Sequence, residues 1–231
     1  MKDTSKIKKE NPYIECVTNN RKKKFILQEL PEEFINWQIN ERIQLFDFLK
    51  NKKQPIFFNP HLPTLITLNT NKIEFPINAA CKGIGLVPTN IELGKLTKKI
   101  NEILNNVTKT DFDSSIHKRI EGAMLLYGYP KKIDRFCLGG LEIFSSQSYK
   151  NILKNSTVSL FYVGTRPDYK SYQINCIAEI IKKNDSFYKF MMSMRSLFEE
   201  AGFHYQQTSY PYAIKYHVVE VFDKSLKVRS K

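Results

Sequence analysis

The residues best suited to binding an anion lie in the segment Cys81-Lys82-Gly83-Ile84-Gly85. Glycines at positions 83 and 85 allow backbone N–H groups to approach a ligand, and Lys82 adds positive charge shortly before a predicted helix. The segment does not match GxxxxGK[ST], because its lysine precedes both glycines. Two interpretations follow: a loop in which Lys82, Gly83 and Gly85 hold a phosphate or carboxylate, or an ordinary turn.

A second polar cluster falls between two predicted strands, where a rigid scaffold can position side chains for binding or proton transfer. Arg166 and Lys170 are candidates for binding a ligand and stabilising developing negative charge, and Asp168 and Tyr169 are candidates for proton transfer. The alternative is a plain hairpin connection in which Pro167 and Asp168 form a turn.

The histidines provide one further catalytic candidate, but their spacing matches no metal-binding motif. The four histidines, at positions 61, 117, 204 and 217, do not form an HxH or HExxH pattern. His204 follows a glycine that ends a predicted helix and precedes a polar, aromatic segment that could line a pocket. A histidine in a surface loop is the alternative. We predict no metal site and no cofactor.

A superficial similarity to a metal-dependent nuclease pattern does not hold. Pro167-Asp168 followed by Glu179 and Lys182 resembles PD…(D/E)xK in residue type only. The acid and the lysine must share one face of a strand, as they do at a separation of two. Glu179 and Lys182 are three residues apart and would point to opposite faces.

The four cysteines indicate a reducing compartment. Cys16, Cys81, Cys137 and Cys176 are widely spaced, without a CxxC pair, and are predicted to be buried free thiols. No segment is apolar over 18 residues, and the first 15 residues lack the apolar region of a signal peptide. We therefore expect no membrane span and a cytoplasmic or other reducing, soluble location.

The formal charge of +13 is the broadest functional signal. Only seven of the 36 basic residues are arginine, so the charge favours an anionic partner without specific base recognition. Part of the lysine excess can also reflect A/T-rich codons. Candidate phosphate-binding and stacking residues for RNA or single-stranded nucleic acid are Lys22, Lys23, Lys24, Tyr127, Tyr129, Lys131, Lys132, Arg135 and Phe136.

Three functions are compatible with these residues. The first is a non-catalytic protein that binds a polyanion, most plausibly RNA or single-stranded nucleic acid. The second is an enzyme acting on a small phosphorylated or carboxylated substrate through the Lys82 segment. The third is an assembly or scaffolding factor with a protein partner, which an exposed apolar patch would favour. The residues alone do not decide whether the chain is an enzyme.

Periodicity predicts a single α+β domain with a mixed, mostly antiparallel sheet and about four main helices. Residues 1–11 form a predicted disordered basic arm, 12–223 the domain, with a weak sub-boundary near 108–112, and 224–231 a basic tail. The last 70 residues are predicted to run β-β-α-β. Other predicted strands include Phe25 to Leu30, after a basic loop, and Lys72 to Ile77. A helix after Pro31 is predicted to bury Ile35, Ile39, Ile43, Phe46 and Leu49.

Overall fold

The chain folds as one α+β domain built around a large antiparallel sheet, which confirms the predicted fold class. The structure is a computed structural model that describes residues 8–10, 13–18, 21–53, 61–69, 74–107, 111–164, 169–199, 207 and 209–226. Within these residues there are five α-helices, a seven-stranded sheet and a three-stranded sheet.

Groups of one to three strands are separated along the chain by one or two helices. The strands are β1 (Lys8–Glu10), β2 (Tyr13–Thr18), β3 (Arg21–Ile26), β4 (Thr64–Leu68), β5 (Ile77–Cys81), β6 (Ile84–Pro88), β7 (Ile133–Glu142), β8 (Thr157–Val163), β9 (Ser171–Ile181) and β10 (Tyr212–Asp223). The helices are α1 (Glu32–Lys50), α2 (Asn90–Val107), α3 (Phe112–Tyr127), α4 (Gln147–Ile152) and α5 (Ser186–Ser196).

The seven-stranded sheet curls until its two edges approach each other. Its strand order is β5-β4-β8-β9-β10-β7-β6, and every pairing is antiparallel. The edge strands β5 and β6 are consecutive in sequence, with only Lys82 and Gly83 between them. Two residues span only about 7 Å when extended, so the edges must lie close together. Across the interior, the Tyr162 hydroxyl of β8 donates to the Ile84 carbonyl of β6 at 3.4 Å.

Two glycines of β7 permit its close contact with β6 and with the β5–β6 turn. A Cβ at Gly140 would lie 2.8 Å from the backbone oxygen of Gly83, and one at Gly139 would lie 2.5 Å from Cγ1 of Val87. A side chain at either position would therefore push β7 away from β6 and its preceding turn. The absence of side chains at 139 and 140 lets the strands pair closely.

The main core fills the inside of the curled sheet and the space between it and the helices. Helix α1 packs against the inside of the curled sheet, where the Phe34 ring lies edge-on to Tyr162 and Tyr172, with centroid distances of 5.1 and 5.2 Å. Helix α2 packs against both α3 and α5, and α5 also contacts β7 and β10.

The C-terminal β-β-α-β prediction is confirmed by β8, β9, α5 and β10. Asp185 caps α5, because its carboxylate accepts a hydrogen bond from the Phe187 N–H at 2.7 Å. Strand β10 then returns between β9 and β7, in the middle of the sheet. The unit thus supplies three adjacent strands of the large sheet and a helix that packs on it.

The basic hairpin near the N-terminus differs from the prediction. Residues Arg21 to Lys24 belong to β3 rather than to a loop, and Arg21 already pairs with Thr18. Only two residues connect the strands, so pairing starts immediately, and Lys22 lies 2.7 Å from the Glu15 carboxylate. Strand β3 therefore ends at Ile26, and residues 27–30 run on to bond the large sheet, with Leu30 N–H donating to the Arg135 carbonyl.

Three other predicted elements shift. Strand β5 begins at Ile77, where the predicted strand ended, and the predicted Lys82 loop instead joins β5 directly to β6. Strand β7 begins at Ile133, five residues before the predicted start at Leu138. In α1, Ile43 is 36% exposed rather than buried.

The chain termini and the cysteines agree only in part with the predictions. Residues 1–7 and 227–231 lie outside the described residues, whereas Lys8–Glu10 pairs with β2, so strand pairing begins earlier than residue 12. The proposed domain limits otherwise stay predictions. Three cysteines are buried as predicted, but Cys81 is exposed. No helix in the described ranges has the length and apolar character required to cross a bilayer.

We expect Gly140→Ala to destabilise the fold by about 1–3 kcal/mol, because its Cβ would meet the Gly83 carbonyl oxygen. Urea unfolding followed by circular dichroism measures this free energy. The matched control is Gly94→Ala on the exposed side of α2, where nothing lies within 4 Å of the added carbon. That change should stabilise by about 0.5–1 kcal/mol. Equal effects at both positions would contradict the close approach.

We also expect the free energy of unfolding to fall as the pH rises above about 9. Burial raises the pKa of the Cys176 thiol well above its ordinary value of 9.0, and Cys16 is shifted in the same direction by burial. As the pH rises, these thiols ionise in the unfolded chain before they ionise in the folded one. The free energy of unfolding therefore falls above pH 9 by up to about 1.4 kcal/mol per pH unit for each thiol. Urea titrations from pH 8 to 10 should show a smaller slope in Cys176→Ala than in the unmodified chain.

Candidate small-molecule site at the sheet seam

A cavity of about 500 Å³ opens where the two sheet edges meet, and we call it the seam cavity. Its walls come from the β5–β6 connection, from β7, and from α1, α3 and α5. The volume falls within the range of small-molecule sites, about 300–1,000 Å³. The lining is mainly apolar and aromatic, with a few cationic side chains, which is the usual composition of such a site.

One cationic wall is formed by Arg42 of α1 and Tyr127 of α3. The Arg42 guanidinium carbon lies 5.3 Å from the centroid of the Tyr127 ring. Both polar ends converge over Gly85 of β6, since a Cβ there would lie 3.7 Å from Arg42 Nη2 and 3.8 Å from the Tyr127 hydroxyl. Gly85 therefore leaves the guanidinium and the phenol accessible from the cavity.

An aromatic wall continues from Tyr127 into the helices. Phe46 packs edge-on against Tyr127 at 6.1 Å and stacks on Phe198 at 5.4 Å with an interplanar angle of 15°. All three rings line the cavity, together with Met191 and Met194 of α5. Such a wall offers flat, polarisable surface to an aromatic ligand.

Lys82 is held by a buried carboxylate and is not free to bind an anion. Its ammonium nitrogen lies 3.3 Å from Oε2 of Glu142, and the two side chains are 14% and 1% exposed. Glu142 also accepts a hydrogen bond from the Phe144 N–H at 3.1 Å. The pair connects the β5–β6 turn to the end of β7, so it closes the seam beside the cavity.

Arg195 is likewise engaged with its own surroundings. Its Nε lies 3.7 Å from Glu199 Oε1, and its guanidinium lies 5.5 Å from the Tyr210 ring centroid. The Tyr210 hydroxyl donates to Glu199 at 2.9 Å. Burial, followed by this hydrogen bond, raises the pKa of Tyr210, so its hydroxyl stays protonated at neutral pH.

Arg42 differs from the other two cations, because no carboxylate of the described residues forms an ion pair with it. A guanidinium keeps its charge at all ordinary pH values. The seam cavity therefore carries one positive charge that its own walls leave uncompensated, next to Tyr127.

The predicted ligand-binding residues divide into two groups. Lys82, Gly83 and Gly85 line the seam cavity, but Gly85 lies in strand β6 rather than in a loop. Lys170 is at the β8–β9 turn, where its carbonyl accepts from the Gly164 N–H, and it does not line the cavity. Arg166 lies outside the described residues. The binding roles of these residues stay predictions.

Of the predicted catalytic residues, only Tyr169 lies within the described part of the chain, and it does not line the seam cavity. Asp168 and His204 lie outside the described residues, and Tyr169 is 42% exposed at the β8–β9 turn with a positive φ of 41°. The Glu179 carboxylate lies 2.7 Å from His217 Nε2, so it is already engaged. Within the described residues, no group of three or more His, Cys, Asp or Glu could hold a metal ion.

The sequence-based prediction did not include Arg42, the cationic residue on which the candidate site depends. The signal was present, since Arg42 continues the spacing of Ile35, Ile39 and Phe46 at intervals of four, three and four. A charged residue on the buried stripe of a helix indicates a polar site inside the fold. The predicted stripe used Ile43 instead, and Tyr127 was assigned to stacking on nucleic acid.

No family model matches this chain, and no curated protein matches it. Solved structures with a similar fold include HupZ from Group A Streptococcus, with 12% identity and a TM-score of 0.41 over 81% of this chain and 98% of the other. The heme storage protein HutZ from Vibrio cholerae shares 9% identity, with a TM-score of 0.40 over 80% and 94%. An FMN-binding protein from Syntrophomonas wolfei shares 10%, with a TM-score of 0.38 over 85% and 95%. Similarity at this level does not transfer a ligand.

The prediction of a polyanion-binding protein is wrong, and RNA binding is not supported. The positions of the predicted contact residues argue against such an interface. Tyr127 is only 6% exposed, Phe136 packs against a second buried cluster, and Arg135 lies 3.4 Å from Glu29.

Some of the other residues predicted to contact nucleic acid also interact with groups of this chain. Lys24 lies over the Tyr13 ring at 4.1 Å, and Lys132 donates to the Leu125 carbonyl at 3.2 Å while lying over the Tyr129 ring. Lys23 and Lys131 are exposed. Several of the residues proposed for stacking and phosphate contact therefore already contact other groups of this chain.

We expect Lys82→Met to destabilise the protein by about 3 kcal/mol, because it leaves the Glu142 carboxylate buried without its cation. The double variant Lys82→Met/Glu142→Gln should recover most of that loss, since no uncompensated charge remains. Chemical unfolding at neutral pH measures both. Lys95→Met, which removes a largely exposed partner of Glu92, is the control and should change stability by less than about 1 kcal/mol. A double variant no more stable than the single one would contradict the buried-pair assignment.

Proposed function

We propose that this chain binds a small, largely aromatic molecule bearing a carboxylate or phosphate group, and that the seam cavity is the site. The observation that carries the proposal is the uncompensated Arg42 guanidinium in a mainly apolar cavity of about 500 Å³. A buried or half-buried cation without a partner is costly, and a ligand anion would satisfy it.

The aromatic character of the ligand is inferred from the walls. Phe46, Tyr127 and Phe198 supply ring surface on one side of the cavity, and methionines of α5 line it as well. Aromatic rings gain from stacked or edge-on packing against such surfaces in addition to the hydrophobic transfer energy.

The polar groups of the ligand are inferred from the same residues. Arg42 would pair with the anion through two parallel N–H donors, which fits the planar geometry of a carboxylate or phosphate. The Tyr127 hydroxyl lies beside it over Gly85 and could donate a further hydrogen bond. Lys82 supports the site by holding the β5–β6 turn through Glu142, not by neutralising the ligand.

Arg42→Met should abolish the preference of the site for anionic ligands. Matched probes that share a ring system, flavin mononucleotide and riboflavin, separate the contribution of the phosphate from that of the ring. With the unmodified chain, fluorescence titration should show tighter binding of the phosphate form. Arg42→Met should weaken that form by about 10- to 100-fold and leave riboflavin nearly unchanged.

Two controls make the result specific. Arg135→Met removes an arginine that pairs with Glu29 outside the cavity and should leave both affinities unchanged. Gly85→Val should weaken both probes, since its methyl groups would enter the space beneath Arg42 and Tyr127. Equal binding of the two probes by the unmodified chain, or failure to bind either of them and a matched pyrenebutyrate and pyrenebutanol pair, would refute the proposal.

A further inference from the structure

The outward surface of the large sheet carries an exposed apolar patch that the seam cavity does not use. The patch, which we call the outer face, comprises the outward residues of β4, β5 and β8, those of β9 from Ser171 to Asn175, and those of β10 from Glu220 to Phe222. Its large apolar side chains are Leu68, Ile77, Phe161, Val163 and Phe222, and they are 37–65% exposed.

These residues share one side of the sheet because of the strand register. Leu68 pairs with Ile77, and Phe161 pairs with both Thr64 and Gln173, which in turn pairs with Phe222. Paired residues in a sheet project to the same side, so Phe161 and Phe222 belong to one row across five strands. Leu68 and Ile77 lie on the same side, four residues farther along β4 and β5. Their neighbours along each strand, such as Leu160 and Tyr162, are fully buried.

The outer face is almost free of charge. Among its described residues, only Glu220 carries a formal charge, and Glu220 accepts a hydrogen bond from the Asn175 side chain at 2.6 Å. The other polar positions are serine, threonine, asparagine and glutamine. This composition contrasts with the whole chain, of which 26% is charged. Loss of charged residues together with exposed aromatics is typical of the centre of a protein interface.

A groove extends the outer face toward the N-terminal hairpin. It has a volume of about 320 Å³ and is bounded by Phe25 of β3 and by Ile66 and Ser159 of the large sheet. Beyond it, β2 and β3 cover Ile177 of the same sheet through a second hydrophobic cluster. The part of the sheet that the hairpin leaves uncovered is therefore the outer face.

We propose that the outer face binds a second copy of this chain to form a symmetric dimer. Two copies with a formal charge of +13 repel each other, and a surface without lysine lets them meet without bringing ammonium groups together. A twofold dimer also needs a patch that complements itself. Uncharged amide and hydroxyl side chains, which both donate and accept, meet that requirement beside the apolar ones.

The outer face supplies about half of the area that such a contact needs. Strands β5 and β4 contribute five residues each, β8 seven, the named part of β9 five and that of β10 three. With about 3.3 Å per residue and about 4.8 Å between strands, they form a plane of roughly 400 Å². Side-chain relief and the groove add to this area, and a standard interface buries about 800 Å² on each partner. This inference does not depend on the proposed ligand of the seam cavity.

Sedimentation velocity between about 1 and 100 μM tests the dimer directly. The unmodified chain should sediment as a dimer in the upper part of this range. Phe161→Lys should raise the dimer dissociation constant at least about tenfold, since it places like charges against each other on a desolvated surface. Ser159→Lys, a smaller change to the fold at the same face, should act in the same direction.

The matched control is Ile91→Lys, which adds the same charge at a 79% exposed apolar residue of α2 and should leave dimerisation unchanged. Circular dichroism of each variant verifies folding. Added salt should strengthen the dimer by screening repulsion between the two positive chains. A monomer at all concentrations, an open-ended assembly, or a dimer unaffected by both lysine variants would overturn the proposal.

Discussion

The short link between the two edge strands of the large sheet is the constraint on which the rest of the structure depends. Lys82 and Gly83 are the only residues between β5 and β6, yet five strands separate β5 from β6 in the sheet order. The sheet must therefore curl until its edges approach. Glycines 139 and 140 let β7 lie close to β6 and to this turn, because a side chain at either would strike Val87 or the Gly83 backbone. The Lys82–Glu142 pair then holds the turn to β7.

The seam cavity follows from this curl and from the helices that pack around it. The curled sheet brings β6 and β7 together, and α1, α3 and α5 enclose the remaining space. Two of the cations in its wall have carboxylate partners, Lys82 with Glu142 and Arg195 with Glu199. Arg42 contacts the Tyr127 ring instead. The wall is therefore positive at one defined point, and this is the property that the proposed ligand would match.

Much of the fold could be predicted from residue patterns, but only part of the site. The α+β class and the C-terminal β-β-α-β unit were predicted correctly, because strand and helix periodicities and the Asp185 cap are local signals. Lys82, Gly83 and Gly85 were chosen as an anion loop and do line the cavity. Whether Lys82 is available to a ligand depends on Glu142, which lies 60 positions away in the chain. Local signals contain no information about such a partner.

The sequence by itself determined the elements, the charge excess and the apolar content of the core. It did not determine where the charge acts, because repulsion and pairing depend on distances between segments that only folding brings together. Arg42 and Tyr127 are 85 positions apart, and the packing of α1 on α3 makes them neighbours. The same is true of the outer face, whose lack of charge is visible only when β5, β4, β8, β9 and β10 are placed side by side. Local propensity determines whether a segment forms a strand, but the register and the strand order determine which residues lie together on one surface.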